Sequence, residues 1–246
     1  LDAMQNVQEI VPFSALSSPL KSETSLNINI GLKYNPVNNL SFAVNLFNNK
    51  VNDLIEWKLV AKDENNINIY SYFNVNQVET KGLEFNSTYT KANNWEIKFG
   101  YQLLYAYDTE VVKEIEKDDS DYYALDTETL TSVKLNKDDY FGLFNRSRHM
   151  GNIKFNYHLN DKTEMNTMLT YRSKYAISDS NGNGILDTYD KFIDGYSLFD
   201  LVITHQISLL KTCQIGIKNI FGFINPEYIS NISGRLYYMS FKINFK

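Results

Sequence analysis

Along residues 26 to 34 every second position is apolar: Leu26, Ile28, Ile30, Leu32 and Tyr34 alternate with Asn27, Asn29, Gly31 and Lys33. The same period returns further on, where Trp95, Ile97, Phe99, Tyr101, Leu103, Tyr105 and Tyr107 oppose Glu96, Lys98, Gly100 and Gln102. It also closes the chain, with Met239, Phe241, Ile243 and Phe245 set against Ser240, Lys242 and Asn244. Successive side chains of a strand point to opposite faces, so this pattern predicts strands with one greasy and one hydrated face. Nine are predicted, at about 26 to 34, 40 to 58, 80 to 90, 95 to 110, 148 to 159, 164 to 177, 196 to 207, 213 to 222 and 235 to 246. A strand buried on both faces reads as a near-continuous apolar run, whereas these need lipid on one side and water on the other. The expected fold is all-β, an antiparallel transmembrane β-barrel segment.

The connections support that reading. Short polar turns at Asn35-Pro-Val-Asn-Asn39, Lys91-Ala-Asn-Asn94, Asn160-Asp-Lys-Thr163 and Ser208-Leu-Leu-Lys-Thr212 alternate with long loops at about 61 to 78, 112 to 147, 178 to 194 and 223 to 234. Outer-membrane barrels have short periplasmic turns and long extracellular loops, so the alternation assigns each connection to a side. Single-chain bacterial barrels have an even strand count, and an odd set that ends in the periplasm must begin outside. Residues 1–25 are therefore expected to be the tail of an extracellular loop, followed by barrel strands over 26–246. The opening Leu1-Asp-Ala-Met-Gln5 lacks the charged and apolar regions of a secretory signal, which predicts a processed chain or a piece of a longer one. The structural alternative is a self-contained ten-stranded barrel that recruits Asn6 to Phe13.

Composition narrows function more than fold. The mean hydropathy is -0.36, and no apolar run approaches the roughly 20 residues of a membrane-spanning helix. That excludes helical spanning only, because the lumenal half of each barrel strand averages the signal away. The 24 basic and 29 acidic residues give a net charge of -5, without the basic stripe that nucleic-acid binding requires. The 18 tyrosines suit interfacial girdles. Cys213 stands alone, so neither an intrachain disulfide nor a CxxC metal site is available.

Four blocks carry a family resemblance. Ser18-Pro-Leu-Lys-Ser-Glu-Thr-Ser25 leads into the strand Leu26 to Tyr34; Val78-Glu-Thr-Lys-Gly-Leu-Glu84 opens another; Gly216-Ile-Lys-Asn-Ile-Phe221 with Tyr228 and Ser233-Gly-Arg-Leu-Tyr237 frame the last loop. In this order they resemble the C-terminal half of TonB-dependent outer-membrane receptors. The resemblance implies the last nine strands of a barrel of about 22, built around an N-terminal plug. It also implies an outer-membrane, Gram-negative location, outer-membrane lipid as surroundings, and a TonB energy complex that works through an N-terminal part this segment does not contain. Neither plug nor TonB box is in these residues, and Lys246 departs from the family's usual final Phe.

Chemistry-bearing residues are few. Asp179-Ser-Asn181-Gly-Asn183-Gly184-Ile185-Leu-Asp187-Thr-Tyr-Asp190 sets oxygen donors in the register of a twelve-residue calcium loop. Side chains fall at the first, third, fifth, ninth and twelfth positions, a backbone carbonyl at the seventh and glycine at the sixth. Asp190 replaces the usual terminal Glu, and a polar hairpin loop is the plainer reading. His149, beside Arg146 and Arg148 at an outer strand end, is the weak candidate ligand contact; His158 and His205 read as a polar-face and an interfacial residue. Haem receptors of this family often carry a histidine just before the block matching Ser18 to Ser25, and residues 1–17 have none. The loop from Val112 to Ser147, with Asp118-Asp-Ser-Asp-Tyr-Tyr123 and Asp138-Asp-Tyr-Phe141, is either a solvated charged loop or a lid whose tyrosines stack on a planar or sugar-like ligand. No GxSxG, HExxH or phosphate-cradling loop occurs, and no cofactor beyond calcium is expected. The expected function is uptake of a scarce nutrient such as a ferric siderophore, haem or cobalamin. Its rivals are a small outer-membrane hydrolase and an adhesin.

Overall fold

The structure, a computed structural model, describes residues 8–9, 19–62, 67–75, 77–91, 94–117, 119–126 and 129–245. In chain order the strands are β1 Gln8–Glu9, β2 Thr24–Val37, β3 Leu40–Asn52, β4 Leu54–Lys62, β5 Asn68–Val75, β6 Val78–Lys91 and β7 Trp95–Asp108. The helix α1, Thr109–Ile115, precedes β8 Tyr123–Asp126, β9 Thr131–Lys134, β10 Tyr140–Gly142, β11 His149–Asn160 and β12 Thr163–Arg172. The chain ends through β13 Leu186–Asp187, β14 Tyr196–Ser208, β15 Lys211–Lys218 and β16 Leu236–Ile243.

Nine of these form one sheet in the order β16-β15-β14-β12-β11-β7-β6-β3-β2. It is an antiparallel meander, and among the described residues its two outermost strands, β2 and β16, do not pair with each other. Each of the nine strands predicted from the period of two has its counterpart in it. Register carries the alternation across the sheet: Phe85 faces Tyr101, Tyr101 faces Gly151, Gly151 faces Tyr171 and Tyr171 faces Ser197. One row along, Phe99 faces Ile153, Ile153 faces Leu169 and Leu169 faces Phe199. One continuous face is therefore apolar, and Glu84, Gln102, Asn152 and Thr170 share the other.

Burial is inverted relative to a water-soluble protein. The wall's apolar side chains are exposed, Ile30 at 68% and Phe241 at 63% among them, and the small buried clusters lie in the long connections. Ile115, Ala124, Leu135, Tyr140 and Ile185 make one; Tyr175, Ile193 and Ile229 make the other. A band of exposed Leu, Ile and Phe is stable against lipid and not against water. Aromatic rings edge it: Tyr89, Trp95 and Phe155 follow one another at 5.2 and 6.1 Å near the short turns, a typical interfacial girdle.

Several boundaries differ from the sequence reading. The strand expected over 40 to 58 breaks at Asp53, which takes a left-handed φ of 53°. From there β4 and β5 form a hairpin where a loop at 61 to 78 was expected. Gln8 and Glu9 pair with β4 and not with the wall. The other residues of the alternative strand Asn6 to Phe13 lie outside the described residues, as do most of residues 1–25 and Lys246. The expected strands at 164 to 177, 213 to 222 and 235 to 246 stop at Arg172, Lys218 and Ile243.

Candidate functional site

The long connections all leave the sheet at one end, and they are built, not loose. Asp108 caps α1 by accepting from the N–H groups of Glu110 at 2.8 Å and Val111 at 3.5 Å, so strand β7 turns directly into helix. The hairpin β8–β9 follows, and β10 then pairs with β13 through Tyr140 opposite Asp187. The connection between β7 and β11 is thereby joined to the one between β12 and β14 in one cap. Tyr140 is buried beneath it and its hydroxyl accepts from the Asp108 N–H at 3.0 Å. Burial, partly opposed by that N–H, pushes its pKa up to about 12. Burial also raises the pKa of Tyr122, whereas Tyr123 stays exposed. Of the loop tyrosines considered as a stacking lid, Tyr140 is thus a packing residue.

Below the cap, the hydrated face of the wall holds a groove of about 530 Å³. Glu84, Gln102, Asn152, Arg172 and Tyr196 line it, together with Gly100 on the same face. Glu84 accepts from the amides of Asn45 at 3.3 Å and Gln102 at 3.1 Å. Arg172 reaches upward, donating to Ser147 Oγ at 2.8 Å and Asn145 O at 3.0 Å, with its guanidinium 3.5 Å over the Tyr175 ring. The groove's polar wall is therefore anchored to the cap through one arginine. Sequence reasoning placed Glu84 in a family block and did not name Arg172, because which residues of five strands share a height depends on register.

The candidate calcium loop lies within the cap. The Asp179 carboxylate accepts from the N–H groups of Asn181, Gly182 and Gly184 at 3.1, 2.6 and 2.6 Å. Asp190 accepts from Ser180 N and Oγ, Asn181 N and Asp187 N at 2.7 to 3.3 Å. Asp187, fully buried, accepts from the side-chain amides of Asn181 and Asn183 and from Tyr189 N. Ile185 is buried in the cap core. The expected ligands are thus brought into one loop; among the described residues no three His, Cys, Asp or Glu side chains group closely enough to hold a metal on their own. Gly182 and Gly184 take φ of 81° and 87°, which only glycine adopts freely.

His149, Arg146 and Arg148 are not brought together. The His149 ring stacks on Tyr101 on the apolar face, its Nδ1 2.8 Å from the phenol oxygen. Arg148 lies over the rings of Phe141 at 4.3 Å and Tyr105 at 5.6 Å, and Arg146 is exposed on the connection before β11.

An antiparallel meander with one lipid-compatible face, one hydrated face and all its long loops on one side is the wall of an outer-membrane β-barrel. The profile described as TonB dependent receptor-like, beta-barrel, matches residues 4–220, and the chain belongs to that family. It lies in the outer membrane of a Gram-negative cell. No curated relative matches by sequence. Among solved structures, the ferric enterobactin receptor of Pseudomonas aeruginosa in complex with enterobactin is similar at a TM-score of 0.64 and 18% identity, over 92% of this chain and 32% of that one. The ferric-catecholate import receptor Fiu of E. coli gives 0.60 and 14%, over 97% and 30%. The copper transporter OprC gives 0.61 and 14%, over 92% and 32%. This chain therefore spans about a third of the length of these structures.

Proposed function

We propose that these residues form the wall and outer cap of a TonB-dependent receptor that takes up a scarce nutrient, with a ferric siderophore as its first-choice cargo and haem or a cobalamin as the other members of the class. The role is transport and not catalysis. The observation that carries it is the groove of about 530 Å³ on the hydrated face directly under an ordered cap, a size suited to a small ligand. Arg172 and Tyr196 on its lining suit an anionic, aromatic cargo, by charge-assisted hydrogen bonding and ring contact. The relatives described as ferric enterobactin and ferric-catecholate receptors support the same choice. In this reading outer-membrane lipid surrounds the wall and a TonB complex supplies the energy. The loop Asp179 to Asp190 takes calcium as an ordering ion at the rim of the cap.

Uptake tests the proposal. Cells with and without the receptor are supplied with radiolabelled ferric enterobactin, haem or cobalamin. Energy-dependent accumulation of one of them only when the receptor is present supports the proposal, and equal accumulation of all three in both strains overturns it.

A further inference from the structure

Asn181-Gly182 and Asn183-Gly184 are the only two Asn-Gly steps in the chain, and the fold gives both of them the same three partners. The glycine N–H of each donates to the Asp179 carboxylate, Gly182 to Oδ1 and Gly184 to Oδ2, both at 2.6 Å. The asparagine side-chain carbonyl of each accepts from the N–H two residues on, that of Asn183 at 3.2 Å and that of Ile185 at 3.1 Å. The asparagine amide nitrogen of each donates to Asp187, at 3.0 Å from Asn181 and 2.7 Å from Asn183. Both glycines are exposed, and open space surrounds the position that a Cβ would take.

These are the parts that an intramolecular acyl transfer needs. The backbone nitrogen after an asparagine attacks the side-chain carbonyl once it gives up its proton, and with glycine at that place no side chain obstructs the approach. Asp179 is the acceptor for the proton at both steps. The N–H groups of Asn183 and Ile185 polarise the carbonyls under attack, and Asp187 fixes the nitrogens that leave. Asp190, in the same loop, accepts from Ser180, Asn181 and Asp187 and is not placed for this role.

We propose that Asn181 and Asn183 are sites of spontaneous deamidation promoted by Asp179, and that their conversion loosens the cap as the receptor ages. The glycine nitrogen loses its proton to Asp179 and bonds to the asparagine Cγ, closing a succinimide ring. The bond from Cγ to Nδ2 breaks, and the nitrogen takes up that proton and leaves as ammonia. Water opens the ring at either carbonyl, so that the net change is amide plus water to carboxylate plus ammonia, with the backbone restored as aspartate or rerouted as isoaspartate. A carboxylate oxygen then stands where an amide nitrogen did, against the fully buried Asp187. Asp187 loses donors and gains like charge, and its strand β13 is the one that pairs with β10 in the cap.

The test stores the purified receptor in chelator, so that calcium binding at this loop is not at stake, and follows every asparagine by peptide mapping. Asn181 and Asn183 should convert ahead of the others, to aspartate and isoaspartate, and faster in the folded receptor than in urea. Asp179→Asn should slow the folded rate roughly a hundredfold and leave the urea rate unchanged. Asp139→Asn removes a cap carboxylate that bonds Asn136 and Thr188 instead, and should keep the parent's rate. Slower conversion in the folded receptor than in urea, an unchanged rate in Asp179→Asn, or an equal loss in Asp139→Asn would each overturn the proposal. Stored receptor, and fresh receptor carrying Asn181→Asp with Asn183→Asp, should exchange the backbone hydrogens of residues 140–142 and 186–187 about tenfold faster than fresh parent. Unchanged exchange in both would overturn the loosening of the cap.

Discussion

Tyr238 lays its phenol ring over Gly216, its cross-strand partner on the hydrated face, and fills the space that a Cβ there would need. A glycine under an aromatic ring is a device for close strand approach, since the ring shields backbone that has no side chain of its own. Gly216→Ala should force the ring aside at a cost of about 1 to 3 kcal/mol. Urea unfolding of the receptor in vesicles would measure it, and the loss should shrink when Tyr238→Ala is already present. Additive losses would mean that the two residues act separately.

Asn219 ties together two of the blocks that resemble the family. Its side chain donates to Phe223 O at 2.7 Å and Ser233 O at 2.9 Å and accepts from Phe223 N at 3.0 Å, and its φ is 51°. Arg235 closes the clamp from the other block by donating to Ile220 O at 2.9 Å and 2.6 Å. These motif residues hold the last outer connection in shape and contact no candidate ligand. Asn219→Ala should cost about 2 to 4 kcal/mol, from lost bonds at a buried site and a left-handed backbone. Asn219→Gly, which relieves only the backbone, should recover part of that in the same unfolding assay.

The depth of a lipid-facing position sets what a charge costs there. Ile153 lies between Phe99 and Leu169, midway along the apolar rows from Trp95 to Leu103, whereas Phe241 faces Cys213 near the short-turn end. Ile153→Arg should destabilise by about 2 to 4 kcal/mol and Phe241→Arg by about 0 to 1 kcal/mol. Equal costs would refute this placement of the band.

What the sequence shows of the fold follows from period. Two-residue alternation survives in every wall strand because lipid and water impose opposite chemistry on its faces, and register then follows from the short turns. The hairpin β4–β5 stays hidden because alternation runs on past Asp53, whose left-handed turn has no glycine to announce it. The helix α1 is missed although Asp108 and Glu110 carry a cap and an acidic first turn, since seven residues are too few for a helical period to show. The cap and groove depend on short non-local pairings such as Tyr140 with Asp187. Those pairings leave no local trace, so the polar Asp/Asn/Gly loop at 179–190 was legible as a local unit and Arg172 was not.

Tyr140 gives the cap an alkaline limit. Its folded pKa of about 12 exceeds the ordinary 10.0, so the fold favours the neutral phenol. The stabilisation is complete below about pH 10 and is lost as pH rises toward about 12, where an unfolded tyrosine has already ionised. Hydrogen exchange in residues 109–142 should accelerate across that window, with phenolate absorbance rising in step. Tyr140→Phe should abolish this component and, by leaving the Asp108 N–H without its acceptor, cost about 1 to 3 kcal/mol at neutral pH.

Calcium binding at the loop from Asp179 to Asp190, as proposed, requires one set of partners to be exchanged for another. Asn181 and Asn183 now turn their amide nitrogens toward Asp187 while their oxygens accept from Asn183 N and Ile185 N at 3.2 and 3.1 Å. An ion needs those oxygens turned inward, and the carboxylates of Asp179, Asp187 and Asp190 must share it with the N–H groups they already accept. The three carboxylates favour a divalent cation, but the lost hydrogen bonds and the short arm of Asp190 oppose it. Affinity should therefore fall in the weak range of extracellular modules, on the order of 10⁻⁴ to 10⁻³ M. Calorimetric titration of the receptor should show one calcium event that disappears in Asp179→Ala and in Asp187→Ala, with slower hydrogen exchange in residues 179–190 when the ion is present. A titration that is the same in both variants as in the parent would leave the loop a self-satisfied polar turn, ordered by its own backbone.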